Sequence, residues 1–256
     1  MKLGWRLFMH SVRQLFLNIG PALQIAWLPT LIVFAVIYWA VTTMPPGFPM
    51  NGSSIHWDQV PEGTAPRILL PLVAYLFAFV WVAVGWHRYV LLQENPEWYG
   101  FPPRISNMGA YALVSVGIGI LLALLVILIG IGLSIIAPII AGSDLIANIL
   151  GFIIQVLVYA LFMRMAVALP AKAIGENFTI GDGLAATVHV RPAIRVLAAL
   201  LLLFSWIPTF LAGTFLAPIV QSLMYQLAAQ WIITMLGISV LTTLYGHFEQ
   251  RRELLA

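Results

Sequence analysis

Charge is what this sequence has least of. Its 256 residues include 12 basic and 9 acidic side chains, only 8% of the total, while 62% are hydrophobic. Soluble domains carry about 25% charged residues. So few charges cannot cover a water-soluble body of this length, and the apolar remainder must face lipid. Cysteine is absent, which excludes disulfides and Cys-based zinc, iron–sulfur or thiol chemistry. Despite a pI near 9.4, the positives form no long run of the kind that binds nucleic acid, so no nucleic-acid partner is expected. The sequence holds neither a GxSxG nucleophile elbow nor a Walker lysine loop. His10, His56, His87, His189 and His247 never recur at metal-ligand spacing, and His56 with Asp58 makes only two ligands. No catalytic set, metal or cofactor is expected.

What is present is length in apolar runs. A helix needs about 20 mainly apolar residues to cross a hydrocarbon core about 30 Å thick. Six stretches qualify, at residues 20–41, 68–90, 108–136, 145–169, 192–217 and 222–245. The sequence predicts an all-α, polytopic helix bundle, a single integral membrane domain over residues 1–256. With both termini inside, Lys2, Arg6, Arg13, Arg88, Arg104, Arg164, Lys172, Arg191, Arg195, Arg251 and Arg252 share the inner side, leaving Arg67 outside. That distribution follows the positive-inside rule and predicts a multi-pass protein of the bacterial inner membrane with cytoplasmic termini. The first span is too long for a signal-peptide h-region and lacks a small-x-small cleavage site before Met44-Pro45-Pro46-Gly47, so it reads as an anchor.

Between the spans, local patterns predict smaller elements. Trp5, Phe8, Val12, Leu15, Phe16 and Ile19 recur at helical spacing opposite Lys2, Arg6, His10 and Arg13, the pattern of an amphipathic interfacial helix. Thr179-Ile180-Gly181-Asp182 has capping-box form, so a short surface helix should run to Val188, with Ile180, Leu184 and Val188 on one face. Glu94-Asn95 and Glu176-Asn177 precede their spans by similar distances, an echo of an internal duplication. The outer loop from Thr42 to Arg67 holds five prolines and should lack regular structure. Its Trp57 should dip into the interface, and the sequon at Asn51 reads as accidental. Pro29 and Pro208 should kink the first and fifth spans. Ser115, Gly119 and Ala123, continued by Gly130 and Ser134, form a stripe of small residues expected to pack closely on a neighbouring helix.

Two groups of residues are candidates for function. Within the membrane, Gln155, Gln226 and Gln230 form a candidate polar cluster, accompanied by Asn148, Gln221, Tyr75 and Tyr159. Interhelical amide bonding explains it more simply than a solute site. At the inner surface, Trp86-His87-Arg88-Tyr89 ends the second span, and Tyr245 to Glu253 ends the sixth. Aromatic rings beside cations anchor helix ends. The sharper reading makes His87, Arg88, Arg191, Arg251 and Arg252 lipid or partner contacts. Asp182-Gly183-Leu184-Ala185-Ala186 matches the opening of the DGxxA signature of CDP-alcohol phosphotransferases, but the Arg and the acidic pair that complete it are missing.

The segment Trp5 to Asn18, the string Val167-Ala168-Leu169-Pro170 and the short helix from Gly181 to Val188 resemble the layout of bacterial inner-membrane proteins related to the membrane domain of glycerophosphodiester phosphodiesterases. The strings Trp86-His87-Arg88-Tyr89-Val90-Leu91-Leu92 and Leu244-Tyr245-Gly246-His247 add to that resemblance. No soluble domain follows Ala256 in this sequence, so phosphodiesterase activity is not expected to carry over. The function expected is a non-catalytic accessory or membrane-homeostasis component. It would contact membrane phospholipids, a membrane-protein complex or further copies of itself through its basic face. The alternative is a small-solute transporter or channel.

Overall fold

The computed structural model describes residues 2–44, 62–140, 143–214 and 223–254; the side chains of 136–140, 209, 211–214, 223, 224, 226 and 227 fall outside that description. The outer-loop features at Asn51, His56, Trp57 and Asp58 lie outside the described residues, as do Gln221 and the Gln226 side chain.

The described chain is helical, in the order α1 (Lys2–Leu17), α2 (Ile19–Thr42), α3 (Thr64–Leu92), α4 (Ile105–Ile140), α5 (Asp144–Ala166), α6 (Ala168–Ile174), α7 (Ile180–Ala186), a 3₁₀ turn (Val188–Val190), α8 (Arg191–Thr214) and α9 (Leu223–Phe248). Six segments are long and apolar enough to cross a membrane, as the hydrophobic runs predict. The helices α2 and α8 continue through Pro29 and Pro208. The fourth span instead breaks at Val167 into α5 and α6. Pro170 lacks the N–H that would bond the Ala166 carbonyl, which places the break there.

At the centre stands α9, 56% buried over its most apolar window, against 6% for α4 and for the α5–α6 segment. The two outer helices therefore expose most of their apolar surface, which is the surface lipid must cover. The α4 stripe corrects the sequence reading. Gly119, Ala123, Gly130 and Ser134 are exposed, and a Cβ built on Gly119 meets nothing within 4 Å. Met108, Tyr111 and Ile118 are the buried side chains of α4 instead.

Close approach comes from other glycines. A Cβ on Gly4 would lie 2.5 Å from the Ala193 carbonyl oxygen, and one on Gly85 would lie 2.9 Å from Ile25. The first brings α1 onto α8. Ser11, on the same face, lies 2.9 Å from Thr243 of α9 through the two hydroxyls. The buried face of α1 is thus Gly4, Leu7, Phe8, Ser11 and Leu15, while Trp5 and Phe16 of the expected apolar face are exposed. The amphipathic helix lies against α8 and α9 with those two rings left outward.

The loop 93–104 folds back on α2. Trp27 Nε1 donates to the Trp98 carbonyl at 3.0 Å, Trp81 Nε1 to that of Phe101 at 2.8 Å, and Gln24 to that of Pro96 at 3.3 Å. Gly100 sits at φ +88, and a Cβ there would lie 3.0 Å from the Gln24 carbonyl oxygen, a position only glycine fills without strain. No helix forms in this loop, whereas Glu176-Asn177 leads into α7, so the two acidic pairs introduce different structures.

Candidate functional site: the basic end of the bundle

Both ends of the described chain, the loop 93–104 and the α6–α8 connection meet at one end of the bundle. There the cations divide into two classes, those spent on the fold and those left over.

Arg88 belongs to the fold. It is 7% exposed, donates from Nε to Glu94 Oε2 at 2.9 Å and pairs its Nη2 with Oε1 of the same carboxylate. Its Nη1 reaches the Ala173 carbonyl at 3.3 Å, and Asn107 Nδ2 donates to the same oxygen at 3.0 Å. A buried guanidinium is tolerable only when paired in this way. The arrangement satisfies carbonyls at the end of α6, where Gly175 at φ +87 turns the chain and the Glu176 N–H bonds back to Ala171 at 2.9 Å. Arg252 does the same for α3, donating to the Val90 carbonyl at 3.0 Å and to that of Leu91.

His87 is fully buried. Its Nδ1 lies 2.8 Å from Thr242 Oγ1, and that hydroxyl donates to the Ile238 carbonyl at 2.9 Å. With the threonine proton committed, the histidine is the donor, so Nδ1 carries the hydrogen and Nε2 is a lone pair without a partner among the described residues. Of the five residues expected to contact lipid or a partner, His87 and Arg88 therefore turn inward because α9, α4 and α6 close over the end of α3. Arg252 is exposed but engaged, and Arg191 and Arg251 are exposed.

Sequence reasoning missed the role of Arg164. Its Nε donates to Thr187 Oγ1 at 3.0 Å and its Nη2 to the Leu184 carbonyl at 2.9 Å, both in the α7 region. Thr187 is buried and passes its own proton to Gly183 O at 2.7 Å. The capping box that starts α7 is present, with Thr179 N–H on Asp182 at 2.8 Å and Asp182 N–H on Thr179 Oγ1 at 3.2 Å. The Thr179 backbone N–H foremost, and then the Thr179 hydroxyl donating at 2.7 Å, hold the Asp182 carboxyl below its ordinary range. Gly183 then lets α7 lie against α5, since a Cβ there would be 2.8 Å from the Arg164 carbonyl oxygen. Arg164 is thereby fixed against α7, with Arg191 and Arg195 of α8 near enough for their charges to act on it. Among the described residues, the ion pairs are Arg88 and Arg104 with Glu94, and neither involves this trio. The spacing of positions 164, 191 and 195 in sequence carries no signal of this grouping; the α7 turn creates it.

Of the intramembrane glutamines, Gln155 and Gln230 have described side chains and Gln226 does not. Gln155 is exposed on α5, while Gln230 donates to Thr234 one turn along α9 at 3.3 Å. Two adjoining polar cavities lie between α1, the end of α3 and the end of α9, the larger of about 410 Å³ and bordered by His10, Gln14, Tyr89 and Arg252. Burial, and then the charge of His247, holds His10 below its ordinary value. Comparison with known protein families, curated proteins and solved structures finds no match.

Proposed function

We propose that this protein is a non-catalytic, multi-pass component of the bacterial inner membrane that retains anionic phospholipid at Arg164, Arg191 and Arg195. The observation that carries the reading is that trio: one guanidinium fixed by α7, two exposed on α8 whose charges act on it, and, among the described residues, no carboxylate paired with any of them. Mutual repulsion of three cations is relieved by an anion, and a headgroup phosphate offers acceptor oxygens that match guanidinium donors. The eleven inner positives favour cytoplasmic termini, which would set the trio against the anionic cytoplasmic leaflet. The likeness to membrane domains of glycerophosphodiester phosphodiesterases belongs to the same proposal, without the catalysis.

Each cation near such a surface contributes about 1 kcal/mol, so Arg191→Gln with Arg195→Gln should weaken phosphatidylglycerol binding by roughly thirty-fold. Native mass spectrometry of delipidated protein titrated with phosphatidylglycerol or with inorganic phosphate measures this. Equal phosphatidylglycerol retention by the variant, or tighter binding of free phosphate than of lipid, would overturn the assignment. Reporter fusions at Ser54 and Ala256 test the orientation, and a cytoplasmic signal at Ser54 would reverse it.

A further inference from the structure

Within the membrane-spanning helices, α3, α4, α5 and α9 line a partly open cavity of about 410 Å³. Glycines in apolar bundles ordinarily let helices touch. Here Gly119 of α4 and Gly237 of α9 both line the cavity, and a Cβ on either would meet nothing within 4 Å. They hold space open.

The lining states what the space accepts. Among the described residues it contains no Asp, Glu, Lys, Arg or His, so it suits an uncharged occupant. Ser115 bonds its own helix at the Tyr111 carbonyl, 2.9 Å away, and Gln230 is engaged with Thr234. The Tyr111 ring is 1% exposed and lines the cavity, and no hydrogen bond of its hydroxyl is present among the described residues. Tyr159, stacked on Phe162 with ring centroids 5.7 Å apart, lines the same wall. Tyr111 stands two turns from the start of α4, and Gly119 lies eight residues, about 12 Å, further along. A free hydroxyl at Tyr111 and a wall otherwise mainly of apolar side chains, Phe79, Ile118, Leu122 and Leu241 among them, suit one lipid chain. At about 30 Å³ per small group, the volume holds on the order of a dozen methylenes.

We propose that this cavity is a binding site for one acyl chain of a membrane phospholipid, with the ester carbonyl accepting from Tyr111 or Tyr159 and the chain passing between Gly119 and Gly237. The site is separate from the arginine trio, and a zwitterionic lipid tests it without engaging that trio's preference for anions.

The test uses the full chain reconstituted in phosphatidylcholine vesicles doped with a phosphatidylcholine whose acyl chain bears a diazirine. Photolabelling should mark peptides containing Ser115 to Leu122 and Tyr159 to Met163. In Gly119→Leu with Gly237→Leu, which fill the cavity, that labelling should fall at least five-fold while labelling on the exposed Leu128 to Ile131 face of α4 stays constant. Unchanged labelling of the lining would overturn the proposal. Because the double variant could lose its fold, wild type supplies a second criterion: Tyr111→Phe should reduce labelling of the lining, and absence of labelling there in wild type also overturns the site. Gly119→Cys adds the sole thiol in the chain. Its crosslinking into a dimer by a short bis-maleimide would assign the space to a second copy instead.

Discussion

Replacing Gly183 by alanine isolates the step on which the arginine trio depends. The added methyl would sit 2.8 Å from the Arg164 carbonyl oxygen and 3.4 Å from the Val167 Cβ. The first neighbour is helix backbone and cannot swing aside, so α7 must move off α5. Overpacking of this kind costs about 1–3 kcal/mol. The displacement also carries away Leu184 O and Thr187 Oγ1, which hold Arg164. Two residues earlier, Gly181 offers a control on the same short helix. It is exposed, and its nearest neighbour to a new Cβ is Thr179 Oγ1 at an ordinary 3.5 Å. Alanine there should be neutral or stabilise by about 0.4–1 kcal/mol through the unfolded chain. Thermal melts in detergent should place Gly183→Ala several degrees below wild type and Gly181→Ala at or above it, and phosphatidylglycerol retention should fall only in the former. If both variants melted and bound lipid like wild type, the docking of α7 would not be what positions Arg164.

Three other outcomes are expected. Gly4→Ala should lower the melting temperature by an amount equivalent to about 1–3 kcal/mol, because its Cβ meets Ala193 O at 2.5 Å and Val196 at 2.9 Å, while Gly109→Ala, with open space around it, should not. Equal melts would place α1 away from α8. In ¹⁵N spectra of histidine-labelled protein, His87 should be the Nδ1–H tautomer, and an Nε2–H signal would contradict the Thr242 hydrogen bond. His10 has its value depressed below the ordinary 6.5, so its contribution is fully present above that pH and is lost as pH falls below it. Melts at pH 8 and pH 5 should therefore differ less in His10→Gln than in wild type, and identical differences would remove His10 from the acid response.

The bundle was legible in the sequence because lipid imposes a coarse rule, an apolar run of sufficient length, that six segments obey. The capping box at Thr179 and Asp182 was equally legible, being a local bond pattern. What failed was the inference from small residues to contact. Gly119 and Gly4 are alike as letters, yet one faces empty space and the other the Ala193 carbonyl, and the difference rests on how α4 and α1 are rotated about their axes. The candidate site was half visible for a related reason. Arg88 and Arg191 both stand at span ends, but Glu94 and the end of α6 capture the first, a pairing set by how the loop 93–104 folds. Arg164 reads only as one of the inner positives until α7 folds against it.

The most direct measurement is a distance between lipid phosphorus and arginine carbon. Protein with ¹³C at every arginine Cζ, reconstituted with phosphatidylglycerol, can be examined by ¹³C–³¹P dipolar recoupling. The account predicts dephasing of a subset of Cζ signals at contact range, lost when Arg191 and Arg195 are both glutamine and retained when Arg251 is. Absence of dephasing in wild type, or its persistence in the Arg191 and Arg195 variant, would contradict the claim that this trio holds a phospholipid.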